Sequence, residues 1–277
     1  MIGPIGVIDS GVGGLTVAKE IMRALPNESI IYLGDDARCP YGPRTTEEVA
    51  SFTLEIAEAL KYLNIKMLVI ACNTATAAAL PLVKEACPFP VIGVIDPGSR
   101  AALHASEQKK VVVLGTSGTV KSGAYHQAIH EKEASADVQA LACPTFVPLV
   151  EEGLYKSEKA KEEVEKTLSV LDASTFDTAI LGCTHYPLLE QHISEAFPAH
   201  VRVISSAEET ARDVERVLKE KDLLSKDERA TYQFYTTGDV KKFQAIVEDW
   251  LQIEKPQVER LDLQAVIQSK GEKLRFT

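Results

Sequence analysis

The sequence predicts an α/β fold made of two similar parallel-sheet halves, and three observations carry that prediction. Short β-branched runs alternate with longer amphipathic stretches, the pattern of strands joined by crossover helices. The runs are apolar on both faces, as strands are when helices cover both sides of a parallel sheet. The order also echoes itself. "IGVIDSGVGG" from residue 5 and "VVVLGTSGTVKSG" from residue 111 each lead a strand into a small-residue loop. Each is followed by a strand that ends in a cysteine: Cys72 in "LVIACNTAT" (68–76) and Cys183 in "AILGCTHYP" (179–187).

In chain order, strands are predicted at 5–9, 29–34, 67–71 and 91–95, and again at 111–115, 138–142, 178–182 and 201–205. The stretch 45–63 places apolar residues at three- and four-residue intervals and is predicted as a helix. The charged run 156–166 reads as a solvated helix face. Beyond residue 206 come a helix (206–222), a strand (231–236), a second helix (239–251) and a polar tail. The expected division is a first domain of 1–94 plus 207–277, carrying Cys72, and a second domain of 95–206, carrying Cys183.

A chain of 277 residues with 45% hydrophobic and 25% charged residues suits a globular protein with a sizeable core. A net charge of −10 disfavours nucleic acid or an anionic membrane as a general partner. No apolar run approaches the ~18 residues of a membrane span. The opening "MIGPIGVID" has no basic start and runs straight into a strand, so no export signal is expected. The five scattered cysteines are then expected to be free thiols in a reducing cytoplasm.

Ligands of open parallel sheets bind beyond the carboxyl ends of the strands, where both Cys72 and Cys183 fall. Helices starting just after them would aim amide donors at the sulfurs and favour thiolate. The bland alternative is that each is a small buried hydrophobe. Asp9 either caps the following helix or bonds a base or a substrate ammonium, with the glycines of "GVGG" permitting a tight turn. His185, beside Cys183, suits proton transfer. Glu151 and Glu152 end an apolar segment, and their bland reading is an exposed turn. The loop "RCPYGPR" (38–44) puts Tyr41 and Gly42 on the rim shared by Asp9 and Cys72. "GTSGTVKS" (115–122) has the spacing of a phosphate loop, but Val120 stands where the glycine before the lysine is needed. Thr116 and Thr119 stay as hydroxyl contacts to a ligand. Cys39, Cys87 and Cys143 are left as non-catalytic.

Taken in order, "VIDSGVGGL", "CPYG", "ACNTAT", the "GTxxT" run with "SGAY", "FVPLVE" and "GCTHYP" resemble the glutamate racemases of the aspartate/glutamate racemase family. The resemblance implies two α/β domains related by a pseudo-twofold axis, with the active site in the cleft between them. It implies interconversion of L- and D-glutamate without cofactor or metal, supplying D-glutamate for peptidoglycan. Cys72 and Cys183 would be the catalytic pair, Asp9 the helper near the first, and Glu151 with His185 the helpers near the second. Substrate contacts would be Asp9, Ser10, Tyr41, Gly42, Asn73, Thr74, Thr184 and His185, with Thr116 and Thr119 nearby. A homodimer is implied as well. Aspartate racemase is the nearest alternative; a thiol redox or metal-binding protein is the alternative of another class.

Overall fold

The structure is a computed structural model describing residues 3–227 and 229–270. Four strands open the first half: β1 (Ile5–Asp9), β2 (Ile30–Gly34), β3 (Met67–Ile70) and β4 (Val91–Gly93). Four more build the second: β5 (Lys110–Gly115), β6 (Asp137–Ala142), β7 (Thr178–Gly182) and β8 (Arg202–Ser205). The chain ends with β9 (Tyr232–Thr236) and β10 (Val258–Arg260). The two sheets run β10-β9-β2-β1-β3-β4 and β6-β5-β7-β8, with every pairing parallel. The first four strands of each half therefore take the same spatial order, which is the physical form of the echo in the sequence. Every residue of β1, β2, β3 and β7 is buried, as the two-sided apolar pattern requires.

The first half carries α1 (Leu15–Ala24), α2 (Thr46–Lys61) and α3 (Asn73–Ala86). The second carries α4 (Ile95–Ala105), α5 (Ser117–Ser122), α6 (Ala124–His130), α7 (Phe146–Glu151), α8 (Glu158–Leu168) and α9 (Glu190–Ala196). Then follow α10 (Ala207–Glu220), α11 (Val240–Leu251) and α12 (Leu263–Gln268). Helix α2 starts where the sequence says it should: Thr45 and Glu48 form a reciprocal capping box. Helix α10 buries Ala207, Ala211, Val214 and Leu218 along one stripe and lies against both α1 and α4. Arg100 of α4 donates to Asp213 of α10 at 2.6 Å, with Glu209 at 3.5 Å. Among the described residues no helix is long and apolar enough to cross a membrane.

A buried ion pair joins Lys66, just before β3, to Glu28, just before β2. Lys66 Nζ also donates to the Leu223 carbonyl at 2.7 Å, and Glu28 Oε1 accepts from Ser225 N at 2.7 Å. The segment between α10 and β9 is thereby fastened to the amino-terminal edge of the first sheet.

Two expectations need correction and two gain detail. The strand expected at 91–95 stops at Gly93, and Ile95 opens α4, because Asp96 and Pro97 both suit a helix's first turn. Within the described residues the polar tail adds to the first sheet: β10 joins its edge, and Leu261, Leu263 and Val266 bury into the first half's core, while residues 271–277 lie outside the described residues. After Cys183 the chain takes a turn and a short 3-10 stretch, Tyr186–Leu189, before α9; Pro187 near its start has no N–H to give. The glycines of "GVGG" lie in the turn the sequence predicts, and they make it without left-handed backbone, since the described glycines with positive φ are Gly123 and Gly153. They are there for close approach. A Cβ on Gly13 would sit 2.4 Å from Thr184 Oγ1 and 2.5 Å from His185 Nδ1.

Candidate active site

Cys72 stands at the N-cap of α3, two residues past β3, and its Sγ accepts from Ala75 N at 3.4 Å. Its thiol faces Ser10 Oγ at 3.8 Å. Cys183 follows β7 directly, with its Sγ 3.8 Å from His185 Nδ1. The two sulfurs come from equivalent strands of the two sheets, and both line one cavity of about 20 Å³. That is room for roughly one water. Ser10, Tyr41 and Gly42 contribute from loops after β1 and β2, Asn73 and Thr74 from the first turn of α3. Thr116 enters from the end of β5, and Thr184 and His185 from the loop after β7. Asp9, Glu151 and Thr119 stand behind this lining. Pro40 and Val147 belong to it and were missed in the sequence, where a proline and a valine carry no chemical signal. None of Cys39, Cys87 and Cys143 lines the cavity.

Bonds cross between the halves at several points. Asp9 does not cap α1, whose N-cap is Gly14; its Oδ1 accepts from Gly11 N at 3.1 Å. Its Oδ2 accepts from Thr184 Oγ1, in the other half, also at 3.1 Å. Thr74 lies 2.8 Å from Thr116 and 3.2 Å from Thr119, hydroxyl to hydroxyl. Gly42 O accepts from Gly118 N at 2.9 Å, while within the first half the Tyr41 hydroxyl donates to the buried carboxylate of Asp35. Tyr125, from α6, donates to Asn73 Oδ1 at 2.7 Å.

The electrostatics of the two sulfurs differ. Burial pushes the Cys72 thiol up to about 12, Asp9 adds to the push, and the Ala75 amide offsets only part of it. The expectation of a thiolate at Cys72 held by helix amides is therefore not met: desolvation outweighs one amide donor. Burial also acts to lower His185, but its bonds to Cys183 and Glu151 win and raise it to about 10. At neutral pH the ring is an imidazolium, with Nε2 donating to Glu151 Oε1 at 2.7 Å and Nδ1 facing the sulfur. Burial acts to raise Glu151, yet the bonds to His185 and Lys242 leave its carboxyl below the ordinary range. Burial raises Asp9 to about 6, against the pull of His185 and the Gly11 amide. Among the described residues no cluster of His, Cys, Asp or Glu is placed to hold a metal ion.

The close approach at Gly13 makes a sharp expectation. Gly13→Ala forces the loop before α1 away from Thr184 and His185, both of which are held in bonded networks. Displacement of that order should lower kcat/KM by about a hundredfold. Steady-state kinetics, with a thermal melt showing the fold intact, checks it.

Residues 5–214 match the family model described as Asp/Glu/Hydantoin racemase. A glutamate racemase of Lysinibacillus sphaericus is 54% identical over 253 residues, covering 91% of this chain and 96% of that one. A glutamate racemase isoform from Bacillus anthracis has a solved structure that matches at a TM-score of 0.91 and 48% identity, covering 94% of this chain and 98% of its own. The Francisella tularensis glutamate racemase, solved in complex with D-glutamate, matches at 0.88 and 35% identity, covering 95% of this chain and 99% of that one. Matched in sequence and in fold over nearly its whole length, the chain belongs to the Asp/Glu/hydantoin racemase family.

Proposed function

We propose that this chain interconverts L- and D-glutamate by exchanging the Cα proton between two thiols, Cys72 and Cys183. One observation carries the reading: equivalent strands of two repeated halves deliver one sulfur each to a single enclosed cavity. Racemisation removes a proton from one face of a carbon and returns one to the other face. Two groups on opposite walls do this without crossing the substrate. Glutamate is favoured over aspartate by the relatives that cover the chain at high identity.

Each sulfur has its own helpers. His185 gives a thiolate at Cys183 a counter-charge within 3.8 Å, and Glu151 holds the imidazolium in place. Cys72 starts as the thiol, ready to protonate the opposite face, with Asp9 close enough to influence its proton. A Cα–H is a much weaker acid than a thiol, so the charge that builds toward the substrate carboxylate must be met by donors. The hydroxyls of Ser10, Thr74, Thr116 and Thr184, the Asn73 amide and the Tyr41–Gly42 loop are on hand for the two carboxylates and the ammonium. Thr119 and Asp9 support them from behind. The present cavity is too small for glutamate, so the halves must part to admit it. We divide the domains at 1–94 plus 207–277 and 95–206, matching the two sheets. A cytoplasmic homodimer supplying D-glutamate to peptidoglycan synthesis fits this reading, as does independence of cofactor and metal.

The direct test incubates the protein, dialysed against chelator, with L-glutamate alone and follows D-glutamate by chiral chromatography. Activity that returns only with a metal or pyridoxal phosphate would overturn the two-thiol mechanism. A pH profile gives a second test. With Asp9 at about 6, its carboxylate is lost as pH falls through that value, and kcat/KM should drop along an acid limb there. Asp9→Asn should lower the rate and remove the limb. The stability effect has the opposite sense. The native state holds this proton more tightly than the unfolded chain, so ionisation costs stability as pH rises from about 4 to 6. Asp9→Asn should therefore melt higher than wild type at pH 8 while turning over more slowly.

A further inference from the structure

Asn73 immediately follows Cys72, and Thr184 immediately follows Cys183; each is held by a side chain from the opposite half. Thr184 donates to Asp9, and Asn73 accepts from Tyr125. The first partner is accounted for above; the second is not. Tyr125 sits on α6, buried among Ile95, Ala102 and Val111, with its ring edge against Gly98 and Gly182. A Cβ at Gly98 would come within 2.9 Å of the Tyr125 hydroxyl, so the surrounding backbone leaves room for this phenol and little else.

An amide side chain has one acceptor and one donor end, and fixing one end fixes the other. The Tyr125 hydroxyl engages Asn73 Oδ1 at 2.7 Å. Burial, with Cys183 nearby, raises the Tyr125 phenol, so it keeps its proton and stays a donor. Among the described residues no hydrogen bond from Asn73 Nδ2 is made, the atom is not one of the fully buried polar atoms left without a partner, and Asn73 lines the cavity that both sulfurs line. The donor end is thus left available at the lining of the cavity that would take the substrate's carboxylates. We propose that Tyr125 is a positioning residue for racemisation: its hydroxyl pins Asn73 across the cleft so that Nδ2 meets a substrate carboxylate. Without that hydroxyl the amide can turn over and present Oδ1 to a carboxylate, replacing attraction with repulsion. The bond spans the two halves, so on this proposal the donor is set by the way one half sits against the other. This role rests on the racemase reading.

The test is a double-mutant cycle on the full-length protein with glutamate as substrate. Tyr125→Phe removes one oxygen, and should lower kcat/KM about tenfold or more with far-ultraviolet circular dichroism unchanged. In an Asn73→Ala background the same change should have no further effect, because there is no amide left to orient. A purely structural role for Tyr125 would instead lower both backgrounds alike. Should Tyr125→Phe alone fail to fold because Asn73 Oδ1 is left without its donor, the double variant leaves neither partner and is compared with Asn73→Ala directly. Equal rates support the proposal; a slower double variant overturns it. Tyr125→Phe with native kcat/KM overturns the role of Tyr125 and leaves the racemase reading standing. A wild-type protein that does not racemise glutamate overturns that reading, and this one with it.

Discussion

Replacing either Cys72 or Cys183 with alanine is expected to abolish racemisation, lowering it by at least about a thousandfold. The two sulfurs occupy equivalent strand ends on one cavity, and the overall reaction needs both a base and an acid. The equilibrium constant of a racemisation is one, so any variant must lose kcat/KM equally in both directions. Division of labour therefore shows in isotope placement and in kcat and KM taken separately. Under the proposed function, and as the family resemblance implies, Cys72 would serve D-glutamate and Cys183 would serve L-glutamate. In deuterated water, a brief reaction of wild type from L-glutamate should place deuterium in the D product and leave recovered L-glutamate largely unlabelled. A single base would carry protium into the product or label both pools alike. Near-native turnover by either alanine variant would return that cysteine to the role of packing.

Lys66→Met should be the most destabilising change away from the cavity, costing about 3–5 kcal/mol of unfolding free energy. Both members of the Lys66–Glu28 pair are 3% exposed, so removing the lysine leaves a buried carboxylate without its counter-charge. It also releases the Leu223 carbonyl, and with it the segment leading from α10 into β9. Urea denaturation measures the loss. Adding Glu28→Met should recover much of it, since two apolar side chains leave no unpaired charge. The pair lies at the amino-terminal edge of the sheet, opposite the cavity, so kcat/KM of the folded protein should stay within about twofold of wild type. A loss below about 1 kcal/mol would mean that water reaches the pair.

The sequence showed most plainly what depends on periodicity and on short spacing. Both parallel sheets, the repeat, and the cysteines at equivalent strand ends follow from apolar runs and the residues just after them. What escaped depends on contacts between distant segments. Strand β10 is three residues long with polar side chains outward, and it exists because β9 offers it an edge. Tyr125 stood in a quoted motif, but its role lies in Asn73, which belongs to the other half. The ionisation of Cys72 was misjudged for a related reason. A helix start can be seen in a sequence, whereas the depth of burial that outweighs it cannot. His185 next to Cys183 was legible because a single residue separates them; its anchoring carboxylate at Glu151 was legible only through the family resemblance.

The backbone passes between the two sheets at two places, after β4 into α4 and after β8 into α10, which are equivalent points of the repeat. The two helices that begin there lie side by side, joined by Arg100 and Asp213. A single crossing would let the halves twist, slide or swing. Two adjacent crossings constrain the halves as two leaves constrain a door, opposing twisting and sliding more than swinging. Both sulfurs line a cavity of about 20 Å³, so under the proposed function glutamate would be admitted by a swing of this seam. Stiffening the seam at Arg100, which does not line the cavity, would then slow the enzyme without touching its chemistry, and the door would set the pace for the reaction behind it.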